Sequence, residues 1–283
     1  MIIFKQATDL HRYLARQRSM QQQTGFVPTM GALHEGHITL IREARRHTDF
    51  VVCSIFVNPT QFNDPNDYKK YPNTLDKDIY LLEQAGTHAL FLPSVNEMYP
   101  DGLQQLEHYN LGYLETLLEG AFRPGHFQGV CQVMARLLNM VQPDQLFMGQ
   151  KDYQQCMVVK WLLRHLHMNG TQFIPVPTVR ETDGLAMSSR NLRLPLADRQ
   201  KATAIYLALD HLRSHLSPGP LAPLVEEASG ILEKEGFRID YVAVGDADNL
   251  SPVDSWDGKQ ALVALVAAFL GEVRLIDNMV IAR

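Results

Sequence analysis

Apolar positions in the first two thirds of this chain follow two different periods. Phe50-Val51-Val52-Cys53-Ser54-Ile55-Phe56-Val57 is a continuous β-branched run that barely alternates, as expected of a strand covered on both faces. Shorter runs at Phe26–Thr29, Ala89–Leu92, Leu146–Met148 and Phe173–Val179 predict further strands. The last should be an edge or irregular strand, because Pro175 and Pro177 cannot donate to a ladder. Helical spacing predicts helices over Ile38–His47, Thr74–Gln84, Leu111–Leu118, Phe127–Val141 and Tyr153–His167, with Gly86 placed to end the second. Such alternation implies a parallel sheet with helices on both faces, an α/β Rossmann-like domain over residues 1–180.

The texture changes near residue 180. One long helix is predicted over Asp198–Leu216, Ser217-Pro218-Gly219-Pro220 breaks it, and a second follows over Leu221–Glu235. Strands then follow in sequence at Ile239–Val244, Ala261–Phe269 and Val273–Ile281. Residues 181–283 therefore read as a smaller carboxyl-terminal α+β lid domain with antiparallel strands.

Bulk composition narrows the class. The chain has 283 residues, is 46% hydrophobic and carries a net charge of −5, which suits a soluble globular protein of two domains. With no long Lys/Arg block, it lacks the concentrated basic face that duplex nucleic acid rewards. No apolar run reaches a membrane span, and Met1-Ile2-Ile3-Phe4-Lys5 lacks a signal-peptide core, so the cytoplasm is expected. Cys53, Cys131 and Cys156 lie in separate apolar runs, which fits free thiols in a reducing compartment.

Four segments carry candidate chemistry. In Pro28-Thr29-Met30-Gly31-Ala32-Leu33-His34-Glu35-Gly36-His37 an apolar run gives way to a turn and a helix start. Free N–H groups and a partial positive charge at a helix N-terminus attract phosphate, and His34 and His37 share one face of that first turn. A zincin site would need two residues between Glu35 and the next histidine, and only Gly36 stands there. Asn58-Pro59-Thr60-Gln61 follows the next strand, and a Gln61 amide can serve a ligand bearing hydroxyl and carboxylate, or simply be a surface amide on a turn. Gly149-Gln150-Lys151-Asp152 sets an ammonium beside another helix start, without a P-loop pattern. Met187-Ser188-Ser189-Arg190 can grip phosphate oxygens in a closing loop, or serve as a polar linker. In open parallel sheets ligands bind beyond the carboxyl ends of strands, where the first three segments fall.

A His pair after a strand with a later Met-Ser-Ser-Arg loop resembles the H-I-G-H and K-M-S-K-S pair of class I aminoacyl-tRNA synthetases and related nucleotidyltransferases. The match is closer to one family. Pro28 to His37, Phe56 to Phe62, Arg123-Pro124-Gly125-His126-Phe127, Lys151-Asp152-Tyr153-Gln154-Gln155 and Ser188-Ser189-Arg190-Asn191 look like the pantoate–β-alanine ligases. That resemblance implies ATP, Mg2+, a homodimer, and pantoate condensed with β-alanine through a pantoyl adenylate, releasing AMP and pyrophosphate. It implies ATP contacts from Met30, Gly31, Ala32, Leu33, His34, Glu35, Gly36, His37, Gly149, Gln150, Lys151, Asp152, Val179, Met187, Ser188, Ser189 and Arg190. His37, His34, Lys151 and Arg190 would carry catalysis, with His37 at the position the family assigns to a proton donor. Gln61 and Gln155 would hold pantoate, Gln61 would border β-alanine, and Asp78 would aid Mg2+ binding. Gln150 and Asn73 depart from the family's usual Glu and Arg. A transferase using a phosphorylated acceptor would need extra basic residues where this chain offers glutamines. A module that had lost activity would not be expected to keep His34, His37, Lys151 and Arg190 together.

Overall fold

The computed structural model describes residues 1–63 and 68–282. Two compact units emerge, one of Met1–Gly149 and Gln155–Pro177, the other of Gln150–Gln154 and Thr178–Arg283.

The first unit is a six-stranded parallel sheet in the order β1-β4-β3-β2-β5-β6. Its strands are β1 (Ile2–Phe4), β2 (Thr24–Thr29), β3 (Phe50–Ile55), β4 (Ala89–Phe91), β5 (Gln145–Gly149) and β6 (Gln172–Val176). Every residue of β3 is buried, as its unbroken apolar run requires. Successive side chains take opposite faces. Phe26, Val52, Phe91 and Leu146 pack with Leu10 and Leu14 of α1 (Ala7–Ser19), with α4 (His126–Val141) and with α5 (Tyr153–His165). Val27, Val51, Cys53, Leu90 and Phe147 turn the other way, onto Ile41 and Ala44 of α2 (Glu35–His47) and Leu82 of α3 (Leu75–Gln84). Each fully buried side chain of this size is worth about 1.5–3 kcal/mol. Strand order reverses between β2 and β5, so the sheet's switch point lies where Met30 and Gly149 leave it.

β6 is an edge strand, in agreement with its prolines. β1 and α1 were not predicted. β1 has only three residues, with Ile2 and Ile3 half-exposed, and α1 buries just Leu10, Leu14 and Gln17 among polar neighbours. The helix predicted over Leu111–Leu118 is instead a single 3-10 turn, Gly112–Glu115, followed by a short helix, Leu118–Phe122. Left-handed backbone at Gly112 (φ 59°) and Leu118 (φ 47°) interrupts it.

In the second unit β7 (Arg238–Asp246), β8 (Leu262–Leu270) and β9 (Val273–Ala282) form an antiparallel sheet with β8 central. Ala264, Val266 and Ala268 of β8 pack with Ile205, Leu209 and Leu212 of one helix and with Ala228 and Leu232 of another. The predicted Asp198–Leu216 helix divides into α6 (Leu196–Lys201) and α7 (Ala204–Ser214), and α8 spans Ala222–Lys234. At the break the Ile205 N–H bonds Ala202 O, three residues back, instead of continuing the four-residue ladder.

Candidate active site

The turn after β2 is built by its own polar atoms. Thr29 Oγ1 donates to Ser54 O at 2.7 Å and accepts from the Gly31 N–H at 3.2 Å. Gly31 (φ 81°) and Ala32 (φ 50°) are then successively left-handed. Glycine suits the first on two counts, since an added Cβ would also stand 3.1 Å from Asp78 Oδ2. Ala32 and Leu33 both donate backbone N–H groups to the Asp78 carboxylate, at 2.9 and 2.8 Å.

α2 begins at once, with His34 as its N-cap. The His34 Nδ1 accepts from the Gly36 N–H at 3.2 Å, and the His37 Nδ1 accepts from the His34 N–H at 3.3 Å. This is a capping box built from imidazoles, with ring centroids 4.1 Å apart. A ring nitrogen that accepts carries no proton, so each neutral ring holds its proton on Nε2. Both histidines are half-buried, and Glu35 is exposed and paired with Arg42.

Gln61 sits in a 3-10 turn, Pro59–Gln61, capped by the fully buried Asn58. The Asn58 Nδ2 donates to Gln61 Oε1 (3.2 Å) and to Gly129 O (3.0 Å). The Asn58 Oδ1 accepts the Tyr99 hydroxyl at 2.7 Å. Burial pushes the Tyr99 phenol above its ordinary range, which keeps that donor protonated. The Gln61 Nε2 in turn lies 3.0 Å from the Met30 sulfur, so this amide and the turn after β2 meet. From the other side, His126 Nδ1 lies 2.9 Å from Gln61 O, and Arg123 reaches His126 Nε2 at 3.1 Å. Arg123, in the turn between two helices, and His126, the first residue of α4, thus form hydrogen-bonded structure around Gln61. Gln155 lies half-buried in the first turn of α5, and Gly149 ends β5.

The second unit supplies its own constellation. Gln150–Asp152 forms a 3-10 turn whose Gln150 and Lys151 carbonyls accept from Asn278 Nδ2 at 2.9 and 2.7 Å. The Lys151 Nζ lies 3.8 Å from Asp152 Oδ1, with its side chain 17% exposed. Val179 and Met187 are joined across a hairpin by the Met187 N–H on Val179 O (2.9 Å). Arg180 anchors that hairpin through a two-pronged pair with the buried Asp277 (2.5 and 3.1 Å) and a bond to Gly184 O at 3.0 Å. Arg199 braces it again, meeting Glu181 at 2.7 Å and Asp183 at 2.8 Å, and its hydrogen bond holds the Asp183 carboxyl below the usual range. Beyond the hairpin, Ser188 Oγ accepts from the Arg190 N–H at 3.2 Å and opens the turn Ser189–Arg193. Ser189 is buried and Arg190 half-buried.

Asp78 does not fit a metal ligand. It is 1% exposed, and its two oxygens accept the Ala32 and Leu33 N–H groups and the Thr74 hydroxyl (3.0 Å). Among the described residues no group of three His, Cys, Asp or Glu side chains could hold a metal ion. Nor is any helix among them long and apolar enough to cross a membrane. Cys53, Cys131 and Cys156 are free and buried.

Sequence reading passed over Tyr99, Gly129, Arg180, Asp277 and Asn278. Asp277-Asn278 did leave a signal: two polar residues at the middle of an apolar strand are stable only when partnered. Tyr99 and Gly129 leave none, because their partners are distant in sequence.

The family model for pantoate-beta-alanine ligase matches residues 2–280. A pantothenate synthetase from Pseudomonas fluorescens is 47% identical over 277 residues, covering 97% of this chain and 96% of that protein. The crystal structure of pantothenate synthetase from Thermus thermophilus superposes with a TM-score of 0.87 at 42% identity, covering all of both chains. A pantoate-beta-alanine ligase from Francisella tularensis, complexed with beta-gamma ATP and beta-alanine, gives a TM-score of 0.82 at 38% identity, covering 99% of this chain and 97% of that one. This chain belongs to the pantoate-beta-alanine ligase family.

Proposed function

We propose a division of labour among these side chains for the family's reaction, the ATP-dependent condensation of pantoate with β-alanine. The observation that carries it is the imidazole capping box beside the sheet's switch point, opened by a turn whose Met30 sulfur meets the Gln61 amide.

Met30 to His37, Gly149 to Asp152, Val179 and Met187 to Arg190 are assigned to ATP. A pantoate carboxylate oxygen attacks the α-phosphorus, the α–β bond breaks and pyrophosphate departs. This step transfers no proton. Its difficulty is charge crowding on phosphate oxygens, so fixed donors and cations are what it needs. His34 and His37 suit that task as neutral rings whose Nε2–H groups donate, while Lys151 and Arg190 supply positive charge. The Ser188 and Ser189 hydroxyls add donors. Gln61 and Gln155 hold pantoate, and Gln61 borders the β-alanine amine. That amine then attacks the acyl carbon, loses a proton, and AMP leaves. Mg2+ bound with ATP would lessen the negative charge on its phosphates, and among the described residues no cluster of three His, Cys, Asp or Glu stands ready to hold it. The working protein is taken to be a homodimer in the cytoplasm.

Exchange of labelled pyrophosphate into ATP tests the assignment. It should require pantoate and proceed without β-alanine. Exchange that needs β-alanine would remove the adenylate, and exchange independent of pantoate would remove the acid site.

A further inference from the structure

We infer that Asp78 is a positioning residue that holds the nucleotide turn in shape, and that it does not bind a metal. The inference rests on the assignment of His34 and His37 to ATP.

Three donors converge on this carboxylate, namely the backbone N–H groups of Ala32 (2.9 Å) and Leu33 (2.8 Å) and the Thr74 hydroxyl (3.0 Å). It is 1% exposed, so solvent does not compete for those bonds. The turn it grips would not hold that shape alone. Ala32 has a side chain yet takes a left-handed backbone at φ 50°, directly after Gly31 at φ 81°. An L-residue there is strained and persists only where its surroundings over-determine it. Two charge-assisted bonds, one on either side of the Ala32 peptide unit, are that surrounding force. Leu33 leads straight into the His34 cap, so releasing Ala32 and Leu33 would let both imidazoles drift.

Asp78 itself is anchored from α3, where its N–H bonds Thr74 O at 2.9 Å. The brace therefore couples a helix start to the turn after β2. At 1% exposure its oxygens face these donors rather than solvent, so an ion with its hydration shell has no open approach to them.

Asp78→Asn tests this with little change of volume. Its amide nitrogen cannot accept, so one backbone N–H loses its partner and meets another donor. We expect kcat/KM for ATP to fall about 10- to 100-fold, the typical worth of one hydrogen bond to a charged group. The Mg2+ concentration for half-maximal rate should stay unchanged. Adding Ala32→Gly, which relieves the left-handed cost, should recover part of the loss. A rate restored by excess Mg2+, or no recovery with Ala32→Gly, would overturn the inference.

Amide shifts of Ala32 and Leu33 report the brace without ATP. They should lie downfield in the parent and move upfield in Asp78→Asn. This readout separates failure of the brace from failure of the ATP assignment, which His37→Ala tests by itself. Should Asp78→Asn not fold, Thr74→Val removes the third bond only. A two- to fivefold loss in kcat/KM for ATP, on the order of one neutral hydrogen bond, is then expected, and an unchanged value would refute the brace.

Discussion

Gly129 offers the sharpest test of how Gln61 is placed. It lies in α4, where the helix runs against the turn carrying Gln61. A Cβ built on it would stand 2.3 Å from Thr60 O and 2.6 Å from Gln61 Cα, while ordinary contact begins near 3.4 Å. These are backbone atoms, so no side chain can swing aside. Gly129→Ala must move the Gln61 turn, and the shortfall of 3.4 − 2.3 Å sets the shift at about 1 Å. Overpacking of this kind costs about 1–3 kcal/mol of stability. A 1 Å misplacement at a reacting centre can cost about 100-fold in rate. In a coupled assay of AMP release we expect kcat/KM for pantoate to fall by about that factor, with KM for ATP changed far less. Thermal unfolding should still be cooperative. Unaltered pantoate kinetics in a folded Gly129→Ala protein would refute the role given to Gln61.

Other perturbations follow from the same geometry. His37→Ala or Lys151→Ala should each lower kcat by about 100-fold or more, the usual worth of one group stabilising developing charge, with the fold intact and His37→Ala costing about 1 kcal/mol of stability for its lost cap bond. Wild-type rates in both would remove them from the reaction. Asp277→Asn strips Arg180 of its buried partner and should cost about 3 kcal/mol in urea unfolding while raising KM for ATP through the loosened hairpin. An unchanged urea midpoint would show that the pair carries no load. Burial pushes the Cys53 and Cys131 thiols up from 9.0 to about 12. Between those values the unfolded chain gives up protons that the folded chain keeps, so stability present below pH 9 should decline as pH rises from 9.0 towards 12. Urea midpoints at pH 8 and pH 10 check this, and equal midpoints would contradict it.

The sheet was legible because its strands are short apolar runs set among helices of clear period. β3 reads as covered on both faces, and it is. The switch-point segments were legible too, because turn chemistry marks strand ends. Legibility failed where stability comes from tertiary partners. β1 is three residues long, and only its pairing with β4 makes it a strand. The Leu111–Leu118 stretch has helical spacing, but positive φ at Gly112 and Leu118 breaks it. At the site, His34 and His37 stood out by type and spacing. Their Nδ1 acceptance could not be read, because it depends on where backbone N–H groups point. Asp78 was named only through the family resemblance, as an aid to Mg2+ binding, and its partners Ala32 and Leu33 lie 46 and 45 positions away.

Oxygen tracing measures the central claim most directly. With pantoate carrying 18O in its carboxylate, AMP, pyrophosphate and pantothenate are separated and weighed. Attack at the α-phosphorus followed by amine displacement leaves one carboxylate oxygen on AMP, so each AMP should carry one label and pyrophosphate none. Label found in pyrophosphate, or AMP without label, would contradict an acyl adenylate formed at this site.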